Sequence, residues 1–122
     1  TLDELLLSAE YITDAGNERV VLCERGIRTF ESANRFTLDL GGALRLKELT
    51  RFPVIIDPSH ASGRAELVEP LSLASAAIGA DGVEVETHCK PQDALCDGAQ
   101  AIQPETFAEI VKKSEKIRRI VK

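Results

Sequence analysis

Three short apolar runs begin near residues 20, 53 and 82, about 30 residues apart. That interval fits a strand followed by a crossover helix. The first run is Val20-Val21-Leu22-Cys23, and the second, Val54-Ile55-Ile56, is continuous and β-branched, as buried parallel strands are. The third alternates, Val83-Glu84-Val85-Glu86-Thr87-His88. The expected strands are 20–23, 53–57 and 83–88. Leu2, Leu5, Leu6, Ala9 and Ile12 predict a helix over 2–14, opened by a Thr1–Glu4 capping box and stopped by Gly16-Asn17. Leu38 to Leu49 reads as a second helix, weakened in its middle by Gly41-Gly42. The segment after His60 reads as a loop to about Glu66. A third helix covers 67–78, with Pro70 in its first turn and Gly79 after it. Pro104 opens the fourth, with Phe107, Ile110, Val111, Ile117 and Val121 as its stripe. The order α-β-α-β-α-β-α specifies an α/β chain with a parallel sheet, within one domain at most. Three strands leave such a sheet short of neighbours at both edges. Further strands are expected, from upstream of Thr1 or from a partner chain. The lack of any methionine, including at residue 1, fits a piece of a longer chain.

A net charge of −5 speaks against a nucleic-acid partner. No apolar run approaches the roughly 20 residues of a membrane span, and no secretory signal is visible. Three cysteines, odd in number and irregularly spaced, make no disulfide framework and point to a reducing cytoplasm.

Ligands of parallel βα folds bind beyond the carboxyl ends of the strands. Here those ends carry Glu24-Arg25, Asp57 to His60, and Glu86 to His88, all on one rim. Alternation puts Cys23 with Arg25, and Glu84 with Glu86 and His88. His60 and Glu86 come from neighbouring strands, and Asp97 lies eleven residues past Glu86 in a long loop able to fold back. An imidazole and two carboxylates suit a divalent cation such as Mn²⁺, Fe²⁺ or Zn²⁺. The competing reading is a His60 that braces its loop among solvated carboxylates. Arg25, beside a glycine, suits phosphate or carboxylate binding; the alternative is a surface ion pair. Arg28 and Arg35 read as surface charges, and Cys23 as a small buried apolar residue. Cys89 and Cys96 flank the long loop without the spacing of a zinc site.

Beyond these readings, specific stretches resemble a known family. Leu22-Cys23-Glu24-Arg25-Gly26-Ile27-Arg28-Thr29-Phe30-Glu31, Thr37-Leu38-Asp39 and Pro53-Val54-Ile55-Ile56-Asp57-Pro58-Ser59-His60-Ala61-Ser62-Gly63 resemble the 3-deoxy-7-phosphoheptulonate (DAHP) synthases of the short type. Ala80-Asp81-Gly82, Glu86-Thr87-His88 and Ala94-Leu95-Cys96-Asp97-Gly98 continue the likeness in order. The resemblance implies a (β/α)8 TIM barrel, of which residues 1–122 are the C-terminal part, with the last three strands and four helices. It implies condensation of phosphoenolpyruvate with erythrose 4-phosphate, in a cytoplasmic homo-oligomer, dimer or tetramer. It assigns His60, Glu86 and Asp97 to a divalent metal, with His60 and Arg25 catalytic, and Arg25, Asp57 and Ser62 on the substrate. The fourth metal ligand, a cysteine, and further phosphate-binding residues would lie before Thr1, so the isolated piece is expected to be inactive. The related 3-deoxy-8-phosphooctulonate synthases, which use arabinose 5-phosphate, share the metal pattern, and Glu86-Thr87-His88 is nearer to them. Ile27 to Glu31 and Pro58-Ser59-His60 favour the DAHP enzymes.

Overall fold

The computed structural model describes residues 1–121. Helix α1, Leu2–Asp14, leads into strand β1, Leu22–Glu24. Helix α2, Leu40–Leu49, precedes β2, Val54–Ile56. A short helix α3, Pro58–Ser62, and a longer α4, Ala65–Ala77, separate β2 from β3, Gly82–Val83. After a single 3-10 turn at Pro91–Asp93, α5 runs from Pro104 to Val121. The strands form one parallel sheet in the order β1-β2-β3, with Leu22 opposite Val54 and Ile55 opposite Gly82.

Local chemistry explains these boundaries. The Thr1 hydroxyl accepts from the Glu4 amide while the Glu4 carboxylate reaches back to Thr1, closing the expected capping box. In α2 the Asp39 side chain accepts from Gly42 N at 2.8 Å. A Cβ at residue 42 would crowd that carboxylate, so Gly42 suits the cap, while Gly41 stands in the helix with room for a side chain.

Register sorts the side chains onto two faces. Leu22, Val54 and Ile56 face the helices and pack with Ala9, Ala43, Leu46 and Ala80 into a buried core between the sheet and α1–α2. Val68, Ile102 and Ile110 form a second cluster joining α4 and α5. The opposite face carries Cys23, Ile55 and Gly82, and it is only partly covered. At the amino ends of the strands, Asp81 accepts from Val54 N at 2.8 Å and pairs with Lys47 at 2.6 Å. The Lys47 hydrogen bond holds the Asp81 carboxyl below its usual range.

The sequence reading needs four corrections. β1 starts at Leu22, two residues later than expected. The segment expected as a loop after His60 contains α3 and the start of α4, giving five α-helices among the described residues. Pro70 stands inside α4, at its sixth residue, not in the first turn, so the Glu66 carbonyl receives no N–H from residue 70. The third strand is short because its partner changes. Glu84 N still donates to Ile56 O at 2.8 Å, but β2 then gives way to α3. Glu86 N finds the Ser59 hydroxyl instead, at 2.9 Å, and the segment goes on to pair with Ile102.

Candidate metal centre

Asp57 ends β2 and caps α3. Its Oδ1 accepts from His60 N at 2.9 Å, and Pro58 fills the first helical position, where no donor is needed. The other oxygen, Oδ2, lies 2.8 Å from His60 Nδ1 and 3.0 Å from Arg25 Nε. Asp57 is fully buried. One carboxylate thus fixes the helix start, the imidazole ring and the arginine. Because a carboxylate accepts, Nδ1 carries the proton, and the Nε2 lone pair is turned outward.

That lone pair meets two further carboxylates. His60 Nε2 lies 3.8 Å from Glu86 Oε2 and 4.0 Å from Asp97 Oδ2. One donor atom from each of the three residues lies within 4.8 Å of the others. Donors bound at about 2.0–2.2 Å to one cation are about 3–4 Å apart, so only a small closure is required. Glu84 also approaches Asp57 and His60 within 4.8 Å, but Asp57 is already committed to Arg25 and the His60 ring. The donor set is one that could hold a borderline divalent transition metal, through His60, Glu86 and Asp97.

The structure brings His60, Glu86, Asp97, Asp57 and Arg25 together. Ser62 it does not. That residue is buried, and its hydroxyl donates to Pro58 O at 2.7 Å, which secures α3. Arg35, read from the sequence as a surface charge, reaches Asp97 Oδ1 at 3.8 Å. Glu24 was passed over; its Oε1 accepts from Gly26 N and Asp39 N and so ties β1 to the start of α2. The Asp-Pro-Ser-His spacing was the overlooked signal for α3, an N-cap followed by proline at the first helical position.

Cys23 lies beneath this cluster, where burial, helped by the Asp57 and Glu84 carboxylates, pushes its thiol up to about 11. Cys89 and Cys96 are exposed. At pH 8 only about one Cys23 in a thousand is a thiolate, so its alkylation by iodoacetamide is expected to lag far behind that of the other two. Mass-spectrometric peptide mapping of a timed alkylation checks this; equal rates at all three would contradict the raised Cys23 thiol.

The sequence profile of the DAHP synthetase I family matches residues 1–120. The chain belongs to that family. It is 49% identical over 117 residues to a phospho-2-dehydro-3-deoxyheptonate aldolase of Thermotoga maritima, covering 96% of this chain and 35% of the relative. It is 36% identical over 122 residues to a 2-dehydro-3-deoxyphosphooctonate aldolase of Geobacter sulfurreducens, covering 91% of this chain and 44% of the relative. The fold agrees. A truncated form of the Thermotoga maritima DAHP synthase superposes with a TM-score of 0.95 at 47% identity, covering 99% of this chain and 46% of that one. The chain thus spans less than half the length of these DAHP synthetase I relatives. No described helix is long and apolar enough to cross a membrane.

Proposed function

We propose that the protein carrying this chain is a 3-deoxy-7-phosphoheptulonate synthase. The observation that carries the reading is the 49% identity to a heptonate aldolase over almost the whole chain, against 36% to an octonate aldolase. The three strands then serve as the last three of a (β/α)8 barrel. The sheet supports this, with one face packed against helices and the other, bearing Cys23 and Ile55, left only partly covered, as it would be where the other strands of a barrel pack in.

In this reaction carbon 3 of phosphoenolpyruvate bonds to the aldehyde carbon of erythrose 4-phosphate. Water adds at carbon 2, and phosphate departs with the C–O bond. Arg25 is anchored through Nε by Asp57, which leaves its two terminal amino groups for the anionic phosphoenolpyruvate. Asp57 keeps the proton on His60 Nδ1, so Nε2 stays a ligand and not a donor. His60, Glu86 and Asp97 would hold a divalent metal, which would supply Lewis acidity toward an aldehyde oxygen when bound. The free thiols suit a reducing cytoplasm.

Assay of the natural full-length protein with each sugar phosphate tests the substrate. Turnover with erythrose 4-phosphate is expected, and Arg25→Ala is expected to lower kcat/KM for phosphoenolpyruvate by about 10- to 100-fold, the worth of a charged hydrogen-bonding group. Turnover with arabinose 5-phosphate alone would overturn the proposal in favour of the octulonate reaction.

A further inference from the structure

Asp97 stands apart in its backbone. It has φ 54°, the one positive value at a non-glycine residue among those described. Aspartate tolerates this region better than most side chains, yet the conformation is uncommon and persists where the surroundings enforce it. The enforcement comes from the turn that follows. Gln100 N and Ala101 N both donate to Asp97 O, at 3.2 and 3.1 Å. The Gln100 side chain then turns back, and its Nε2 donates to Asp97 Oδ1 at 3.0 Å. Gln100 is only 3% exposed, so that amide is held by packing as well as by its hydrogen bond.

The two oxygens of Asp97 are thereby divided. Oδ1 is occupied by Gln100 and approached by Arg35, whereas Oδ2 faces His60 Nε2. We infer that Gln100 is the positioning residue for Asp97, turning one carboxylate oxygen toward the cation by binding the other. This rests on the metal-centre reading proposed above. An amide suits the task chemically. It occupies a lone pair without cancelling the charge that the cation needs, which a buried lysine or arginine would do. Arg35 is about half exposed, and its 3.8 Å contact is weakened by solvent, so it adds less orientation than the buried amide.

The test is Mn²⁺ affinity in the natural full-length protein, read from the electron paramagnetic resonance signal of the free ion. Gln100→Met keeps the length and apolar packing of the side chain but removes the donor. It is expected to weaken Mn²⁺ binding about tenfold or more, with the melting temperature of the metal-free protein nearly unchanged. In an Asp97→Ala background the same substitution is expected to change affinity no further, because Gln100 acts through that carboxylate. Wild-type affinity in Gln100→Met, alongside loss in His60→Ala and Asp97→Ala, would overturn the inference and leave the metal centre standing. An equal loss in the Asp97→Ala background would overturn it too, by showing a general structural role. Undiminished affinity in His60→Ala and Asp97→Ala would overturn the metal centre itself, and the inference with it.

Discussion

Asp57→Ala is expected to unfold the rim of the site and to abolish tight cation binding. The carboxylate is fully buried, and five contacts converge on it or its backbone. They are the His60 amide, the His60 ring and the Arg25 guanidinium on the side chain, and on the backbone the Glu24 carbonyl that accepts from Asp57 N and the Ala61 amide that donates to Asp57 O. Only the two backbone bonds survive truncation. Losing the cap costs about 1 kcal/mol. Truncation also leaves the His60 ring N–H without its acceptor, a loss of about 1–3 kcal/mol, whereas Arg25, more than half exposed, turns to solvent at little further cost. The His60 ring also loses the acceptor that fixes its tautomer, and such partners are typically worth 10- to 100-fold in metal affinity. Asp57→Asn separates these effects. It keeps an oxygen for the cap and removes the charge opposite Arg25 and the imidazole. It is expected to melt closer to wild type but to bind Mn²⁺ at least tenfold more weakly. Denaturant titration with parallel Mn²⁺ titration of both variants checks the pair. An Asp57→Ala protein within about 1 kcal/mol of wild type would show that the buried carboxylate is not the keystone described.

Gly26→Ala is the second large effect, and Gly16→Ala its control. Both glycines have φ close to +90°, so each substitution incurs about 1–2 kcal/mol for the left-handed backbone. Their surroundings differ. A Cβ at residue 16 would meet nothing within 4 Å. At residue 26 it would lie 2.6 Å from Phe36 Cβ and 3.1 Å from both Ala61 Cα and Ala61 Cβ. Residue 26 follows Arg25, and residue 61 follows His60, so the clash would push apart the two segments that deliver the guanidinium and the imidazole. Overpacking adds about 1–3 kcal/mol, giving about 2–5 kcal/mol in all for Gly26→Ala. Urea denaturation should show that gap, and titration with phosphoenolpyruvate, the proposed substrate, should show weaker binding for Gly26→Ala only. Equal losses in the two variants would mean that the close approach at residue 26 carries no weight.

These two residues also mark what the amino-acid sequence discloses. The helical stripe of α5 and the capping box of α1 are local patterns, and both elements stand where periodicity puts them. The convergence of His60, Glu86 and Asp97 was legible for a different reason. Parallel strands deliver their carboxyl ends to one rim, which sets His60 beside Glu86, and the long loop after β3 is able to carry Asp97 back to them. The third strand was over-read because its alternation continues to His88, while the hydrogen-bond partner changes at Ser59. A side-chain hydroxyl standing in for a strand leaves no periodic trace. Ser62 reads as available for the same reason, as its sequence position does not reveal the Pro58 carbonyl that accepts its hydrogen bond. Gln100 carries no sequence signal, and Arg35 reads only as a surface charge, because their relation to Asp97 depends on a turn with positive φ at an aspartate, a conformation that no spacing rule announces.

The most direct measurement is an anomalous difference map from crystals of the natural full-length protein grown with Mn²⁺. The expected result is one strong peak about 2.0–2.3 Å from His60 Nε2 and from a carboxylate oxygen of both Glu86 and Asp97, with His60 Nδ1 still on Asp57. A fully occupied Mn²⁺ bound elsewhere, with these three side chains turned away from one another, would contradict the assignment.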